Sequence, residues 1–77
     1  METEVDTMRP VVVYIGQKLR KLRDERFLSH RELAKLAGVS PTTVLTLEND
    51  EAEPQRRTIR KLAEALGVHP AELVERE

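Results

Sequence analysis

No helix can run unbroken through Gly38-Val39-Ser40-Pro41. Gly38 suits the left-handed backbone position that closes a helix, where a Cβ would be penalised. Ser40 is a strong N-cap, because its hydroxyl accepts a hydrogen bond from an orphan amide of the next helix. Pro41 fits the first helical position, where its missing N–H costs nothing. Upstream, Ser29 followed by Glu32 forms a capping box and predicts a helix over 30–37, with Leu33, Ala34, Leu36 and Ala37 facing inward. Downstream, a helix from Pro41 to about Asn49 buries Val44 and Leu47, and Val39 plugs the corner between the two. Two short helices are thereby forced to meet at a tight turn.

The flanks supply the rest of one domain over 10–77, behind a polar N-terminal tail at 1–9 expected to be flexible. Ile15, Leu19 and Leu22 recur at helical spacing and predict a first helix over about 12–26. Its opening is ambiguous, since the β-branched run Val11-Val12-Val13-Tyr14-Ile15 reads equally as a short strand or as first helical turns. As an extended arm it would be a natural dimer contact. A fourth helix spans about 56–66 on the stripe Ile59, Leu62, Ala63 and Leu66. Gly67-Val68-His69-Pro70 then repeats the earlier punctuation, and Leu73 anchors a fifth helix. The expected fold class is all-α, with five helices of which the second and third form a helix-turn-helix.

Cysteine is absent, which excludes a disulfide framework, a thiolate zinc site and a cysteine nucleophile. No apolar run approaches the roughly 18–20 residues of a membrane span. The acidic start (Glu2, Glu4, Asp6) does not fit a signal peptide, so a cytoplasmic location is expected. Seventy-seven residues are too few for a deep cleft between lobes. His30 and His69 fall on different helices, no phosphate-binding glycine loop exists, and no His/Asp/Glu spacing suggests a metal. An enzyme is not expected, nor a cofactor or metal site. Two aromatics, Tyr14 and Phe27, argue against a single-strand binder that stacks bases on rings.

The net charge of −1 hides strong segregation. Residues 16–35 carry Lys18, Arg20, Lys21, Arg23, Arg26, Arg31 and Lys35 against Asp24, Glu25 and Glu32. Residues 36–53 carry only Glu48, Asp50, Glu51 and Glu53. A basic portion of this kind suits phosphate, whereas the acidic stretch does not.

Several segments, in order, carry a resemblance. They are Ile15-Gly16-Gln17-Lys18-Leu19-Arg20-Lys21-Leu22-Arg23, Leu33-Ala34 with Gly38-Val39-Ser40, Val44 with Leu47-Glu48-Asn49, and Leu62-Ala63-Glu64-Ala65-Leu66-Gly67-Val68. Here the chain resembles the phage repressor and Cro-type helix-turn-helix family, also called the xenobiotic-response-element family. The resemblance runs from about Ile15 to Leu73. It implies a transcriptional repressor or regulator that binds double-stranded DNA at a palindromic operator as a homodimer. It also implies that Pro41, Thr42 and Thr46 face base edges with Thr43 and Leu45 nearby, and that His30 and Asn49 sit at phosphates. Ser40 would cap the third helix and touch the backbone, and Arg23 and Glu48 would bridge the first and third helices. The chemistry agrees. A helix entering the major groove presents its N-terminal and outward residues, and threonine offers both a hydroxyl and a methyl for the thymine methyl.

The sequence departs from the family at several points. His30 stands where glutamine is usual, which makes its phosphate contact pH-dependent. Phe27 and Asp50 occupy places where glycine is common. Arg56 replaces an apolar residue, either to clasp a phosphate or to project into water. Four acids in the stretch 48–53 follow the reading helix. They motivate the second reading, an antitoxin-like or adaptor module that grips a protein partner through that loop. For a homodimer, Leu73, Val74 and the Val11–Tyr14 segment are the apolar candidates.

Overall fold

In the computed structural model, which describes residues 13–76, the punctuation read from the sequence closes the helices it was expected to close. The elements are β1 (Val13–Tyr14), α1 (Gly16–Glu25), α2 (His30–Ala37), α3 (Pro41–Glu48), α4 (Arg56–Leu66), a 3-10 turn at Pro70–Glu72, and β2 (Glu75–Arg76). At the start of α2, Ser29 Oγ accepts from the Glu32 amide at 3.0 Å, and Glu32 Oε1 accepts from the Ser29 amide at 2.8 Å. Gly38 closes the helix at φ 76°. Ser40 Oγ then accepts from the Thr43 amide at 3.1 Å, and Pro41 opens α3.

The four α-helices bury one core of Ile15, Leu19, Leu33, Ala34, Ala37, Val44, Leu47, Leu62, Ala63, Leu66 and Leu73. Burial of this aliphatic surface is the main stabilising term. The fold class is all-α, as expected, with one antiparallel pair of two-residue strands among the described residues, in register Val13↔Arg76 and Tyr14↔Glu75.

That pair accounts for two corrections. The first helix begins at Gly16, not near residue 12, because Val13 and Tyr14 take the strand alternative. Val11, Val12 and the tail at 1–9 lie outside the described residues. The fifth helix is one 3-10 turn of three residues. After it Leu73 enters the core, and Glu75 and Arg76 join β1 where another helical turn would have continued. Leu73 is fully buried, so it is not a dimer candidate. Leu36 is also corrected, being 61% exposed. It falls roughly a quarter-turn off the face shared by Leu33, Ala34 and Ala37.

The second corner matches the first in geometry, with Gly67 at φ 74° and His69 Nδ1 accepting from the Ala71 amide at 3.1 Å. It leads only into the 3-10 turn, which is too short to lie along a groove. The repeated sequence therefore reflects two helix corners with the same stop-and-start requirement.

Candidate nucleic-acid interface

Val44 and Leu47 fix α3 against the core, which decides what the opposite face shows. At 3.6 residues per turn, Pro41, Leu45 and Asn49 line up with Thr42 and Thr46 beside them. Pro41, Thr42, Leu45 and Asn49 are exposed and Thr46 is half-buried. Leu45, 45% exposed, occupies the middle of this face. Thr43 lies off it, toward the loop that enters α4, and its hydroxyl pairs with Ser40 Oγ at 2.9 Å. The Thr46 hydroxyl turns back onto the helix, donating to the carbonyls of Thr42 at 3.0 Å and Thr43 at 3.1 Å.

Three contacts hold α3 at this angle. Arg23 of α1 reaches Glu48 at the end of α3 in a bidentate pair, with Nε to Oε2 at 2.5 Å and Nη2 to Oε1 at 3.0 Å. Its Nη1 donates to the Leu28 carbonyl at 2.7 Å, so the same guanidinium ties down the α1–α2 turn. Both side chains are largely buried, at 11% and 4% exposure. The Glu48 hydrogen bond holds the Arg23 guanidinium above its ordinary pKa, against the opposing effect of burial. Glu48 consequently takes no part in any exposed acidic surface.

His30 is the second contact. Its Nε2 lies 3.0 Å from Glu48 Oε1, which turns the pair expected from the sequence into a triad. Sequence reasoning placed His30 only at phosphate and missed this partner. The signal available was the replacement of the usual glutamine at the first residue of α2.

The third contact is the close seating of α1 on the end of α3. A Cβ on Gly16 would stand 2.6 Å from the Glu48 carbonyl oxygen, 2.7 Å from Asp50 Oδ1 and 2.9 Å from the Leu47 carbonyl oxygen. Only glycine allows this approach. Asp50 itself adopts φ 56° just beyond the α3 C-cap, and the Glu51 amide returns to the Thr46 carbonyl at 2.9 Å. The Asp50 carboxylate thus rests near the N-terminus of α1, where negative charge is favoured.

Arg56 and Arg57 are exposed in the first turn of α4, whose N-cap Gln55 makes no side-chain cap. Glu51 and Glu53 are exposed in the intervening loop. Among the described residues, no group of three His, Asp or Glu side chains is placed to hold a metal, and no helix is long and apolar enough to cross a membrane.

Comparison with known proteins matches this arrangement. A family model described as helix-turn-helix covers residues 19–73. The cryptic phage CTXphi transcriptional repressor RstR of Vibrio cholerae is 44% identical over 59 residues, which are 77% of this chain and 53% of that protein. The restriction-modification controller protein C.AhdI of Aeromonas hydrophila superposes with a TM-score of 0.75 at 39% identity, covering 77% of this chain and 89% of that one. The P22 c2 repressor, solved in complex with a synthetic operator, superposes with a TM-score of 0.73 at 28% identity over 78% and 91% of the two chains. The chain spans only 31–53% of the length of the first curated relatives it matches. A capped two-helix corner, an ion pair from α1 to α3 and these matches together place the chain in the Cro-type helix-turn-helix family.

Proposed function

We propose that this domain binds double-stranded DNA sequence-specifically, as the reading head of a transcriptional regulator that acts as a homodimer on a pseudo-palindromic operator. The observation that carries this reading is the outward face of α3. It is exposed at Pro41, Thr42, Leu45 and Asn49 and half-buried at Thr46, while Arg23, His30 and Glu48 lock the helix from behind. A rigidly held helix with an accessible outward face is what entry into a major groove requires. In this reading Pro41, Thr42, Leu45 and Thr46 meet base edges with Thr43 beside them, and His30, Ser40, Asn49 and Arg56 meet the backbone. His30 commits Nε2 to Glu48, so Nδ1 is the ring nitrogen left for a phosphate. The uncapped start of α4 with Arg56 and Arg57 supports a phosphate contact there, since orphan amides and guanidinium groups attract the same anion. One head covers only a half-site, which is the reason for a dimer.

Selection of bound duplexes from a random library tests binding, symmetry and spacing together. The expected product is a pseudo-palindrome with half-site centres about 10–10.5 base pairs apart. Recovery of no common sequence would contradict the reading. The exposed Glu51 and Glu53 favour the alternative of a protein-interaction module, and that failure would bring it forward.

A further inference from the structure

The eight residues of α3, Pro41 to Glu48, contain no Arg, Lys, Asn or Gln. Those four are the side chains that read guanine or adenine through paired hydrogen bonds. The one charged residue of the helix, Glu48, is consumed by Arg23 and His30. Asn49 stands beyond the last helical residue, at the C-cap.

The hydroxyls are largely committed as well. Thr46 donates its proton to the carbonyls of Thr42 and Thr43, which leaves its oxygen lone pairs and its methyl for a ligand. The Ser40 and Thr43 hydroxyls share one hydrogen bond at 2.9 Å, which spends one of their two protons, and Ser40 Oγ also accepts from the Thr43 amide. Thr42 has no hydroxyl partner among the described residues. The face that remains is mostly hydrocarbon: the Pro41 ring, the two threonine methyls and an exposed Leu45 at the centre. Among the described residues, Phe27, Leu36 and Leu45 are the large apolar side chains left exposed, and Leu45 is the one that lies on this face, where an apolar group of the ligand would cover it. The only apolar group that a base pair presents in the major groove is the thymine C5 methyl.

We infer that α3 reads thymine methyl groups, so that the half-site under this helix is rich in A·T pairs and Leu45 is its central specificity-determining residue. The inference rests on the DNA-binding reading above and deepens it. Guanine offers only acceptors in the major groove, O6 and N7, and α3 has no paired donor to meet them, only single hydroxyls such as that of Thr42.

The test uses the selected duplex with thymines of each half-site replaced one at a time by uracil, which removes a methyl and nothing else. Each contacted thymine should lose about fourfold in affinity, the worth of one buried methyl group. In Leu45→Ala protein, the thymine opposite that position should bind as well in its uracil form. Thr46→Val, which keeps a methyl, should retain the sequence preference, whereas Thr46→Ser should relax it. A G·C-rich consensus, uracil duplexes that all bind like the parent, or the reverse order of the two Thr46 variants would overturn methyl reading while leaving DNA binding in place. A wild type that binds every duplex alike, or none, would remove the DNA reading and this inference with it. The Leu45 face would then belong to a protein contact.

Discussion

Phe27 and Asp50 both hold left-handed backbone without being glycine, at φ 54° and 56°. They differ in what the side chain gains. The Phe27 ring is 92% exposed and offsets nothing. Phe27→Gly should therefore stabilise the domain by about 0.5–1 kcal/mol, read as a shift in denaturation midpoint at constant slope. Asp50 tolerates this conformation better, and its carboxylate lies beside the N-terminus of α1, so Asp50→Gly should gain less or lose. A less stable Phe27→Gly variant would show that the ring has a contact the strain argument omits. Both positions were legible in the sequence as places where the family has glycine, but only the backbone shows why glycine suits them.

The same scale holds the Arg23–Glu48 pair. Glu48→Ala should cost about 3 kcal/mol by stranding a buried guanidinium, and Arg23→Met with Glu48→Leu should cost less than the two single changes added. Additive effects would mean that the pair contributes no coupling. The folded Arg23 value is raised, so its contribution is fully present below the unfolded guanidinium value and is lost only as pH climbs through the raised one. No loss of stability from Arg23 is expected between neutral and mildly alkaline pH.

Among elements, the two glycines near α3 fail for different reasons when substituted. At Gly38 an added Cβ meets nothing within 4 Å, and the whole penalty lies in φ 76°. Gly38→Val should cost more than about 1 kcal/mol and leave DNA affinity per folded molecule unchanged. At Gly16 the obstacle is backbone carbonyl oxygen at the end of α3. Gly16→Ala must shift the reading helix, so it should lower operator affinity in the molecules that remain folded. Equal effects of the two variants on operator affinity, measured at matched folded fraction, would refute a positioning role for Gly16.

The corner itself was legible because glycine, serine and proline act on their immediate neighbours. The start of α1 and the loss of the fifth helix were not, because strand pairing joins residues 13–14 to 75–76 across the whole chain. Arg26 was equally hidden, donating to the Leu66 carbonyl at 2.8 Å and the Leu22 carbonyl at 3.0 Å across two helix ends. A surface arginine in the sequence carries no sign of a partner forty positions away.

For the molecule as a whole, the charge pattern divides into groups that are spent inside and groups that face outward. Glu48 and Arg23 neutralise each other, and Asp50 sits by α1, which leaves Glu51 and Glu53 as the acids in this loop without a described partner. Binding through Arg56 and neighbouring basic residues should weaken steeply with salt. Glu51→Lys with Glu53→Lys should strengthen binding to unrelated duplexes if the loop runs near DNA. No change in affinity or salt slope would place that loop away from the duplex. Which residues line the outward face of α3 was legible in outline, but the commitment of the Thr46 and Thr43 hydroxyls to hydrogen bonds within the corner was not, because no spacing reveals it.

The central claim is that the outward face of α3 discriminates between DNA sequences. It is tested most directly by the ratio of operator to unrelated-duplex affinity in wild type and in Thr42→Ala/Thr46→Ala protein, at one moderate salt concentration. Each lost methyl contact should remove about fourfold of discrimination, so the double variant should show a ratio lower by about tenfold or more, with unrelated-duplex affinity and fold nearly intact. A double variant with the wild-type ratio would contradict the claim, because the residues that choose the sequence would then lie elsewhere.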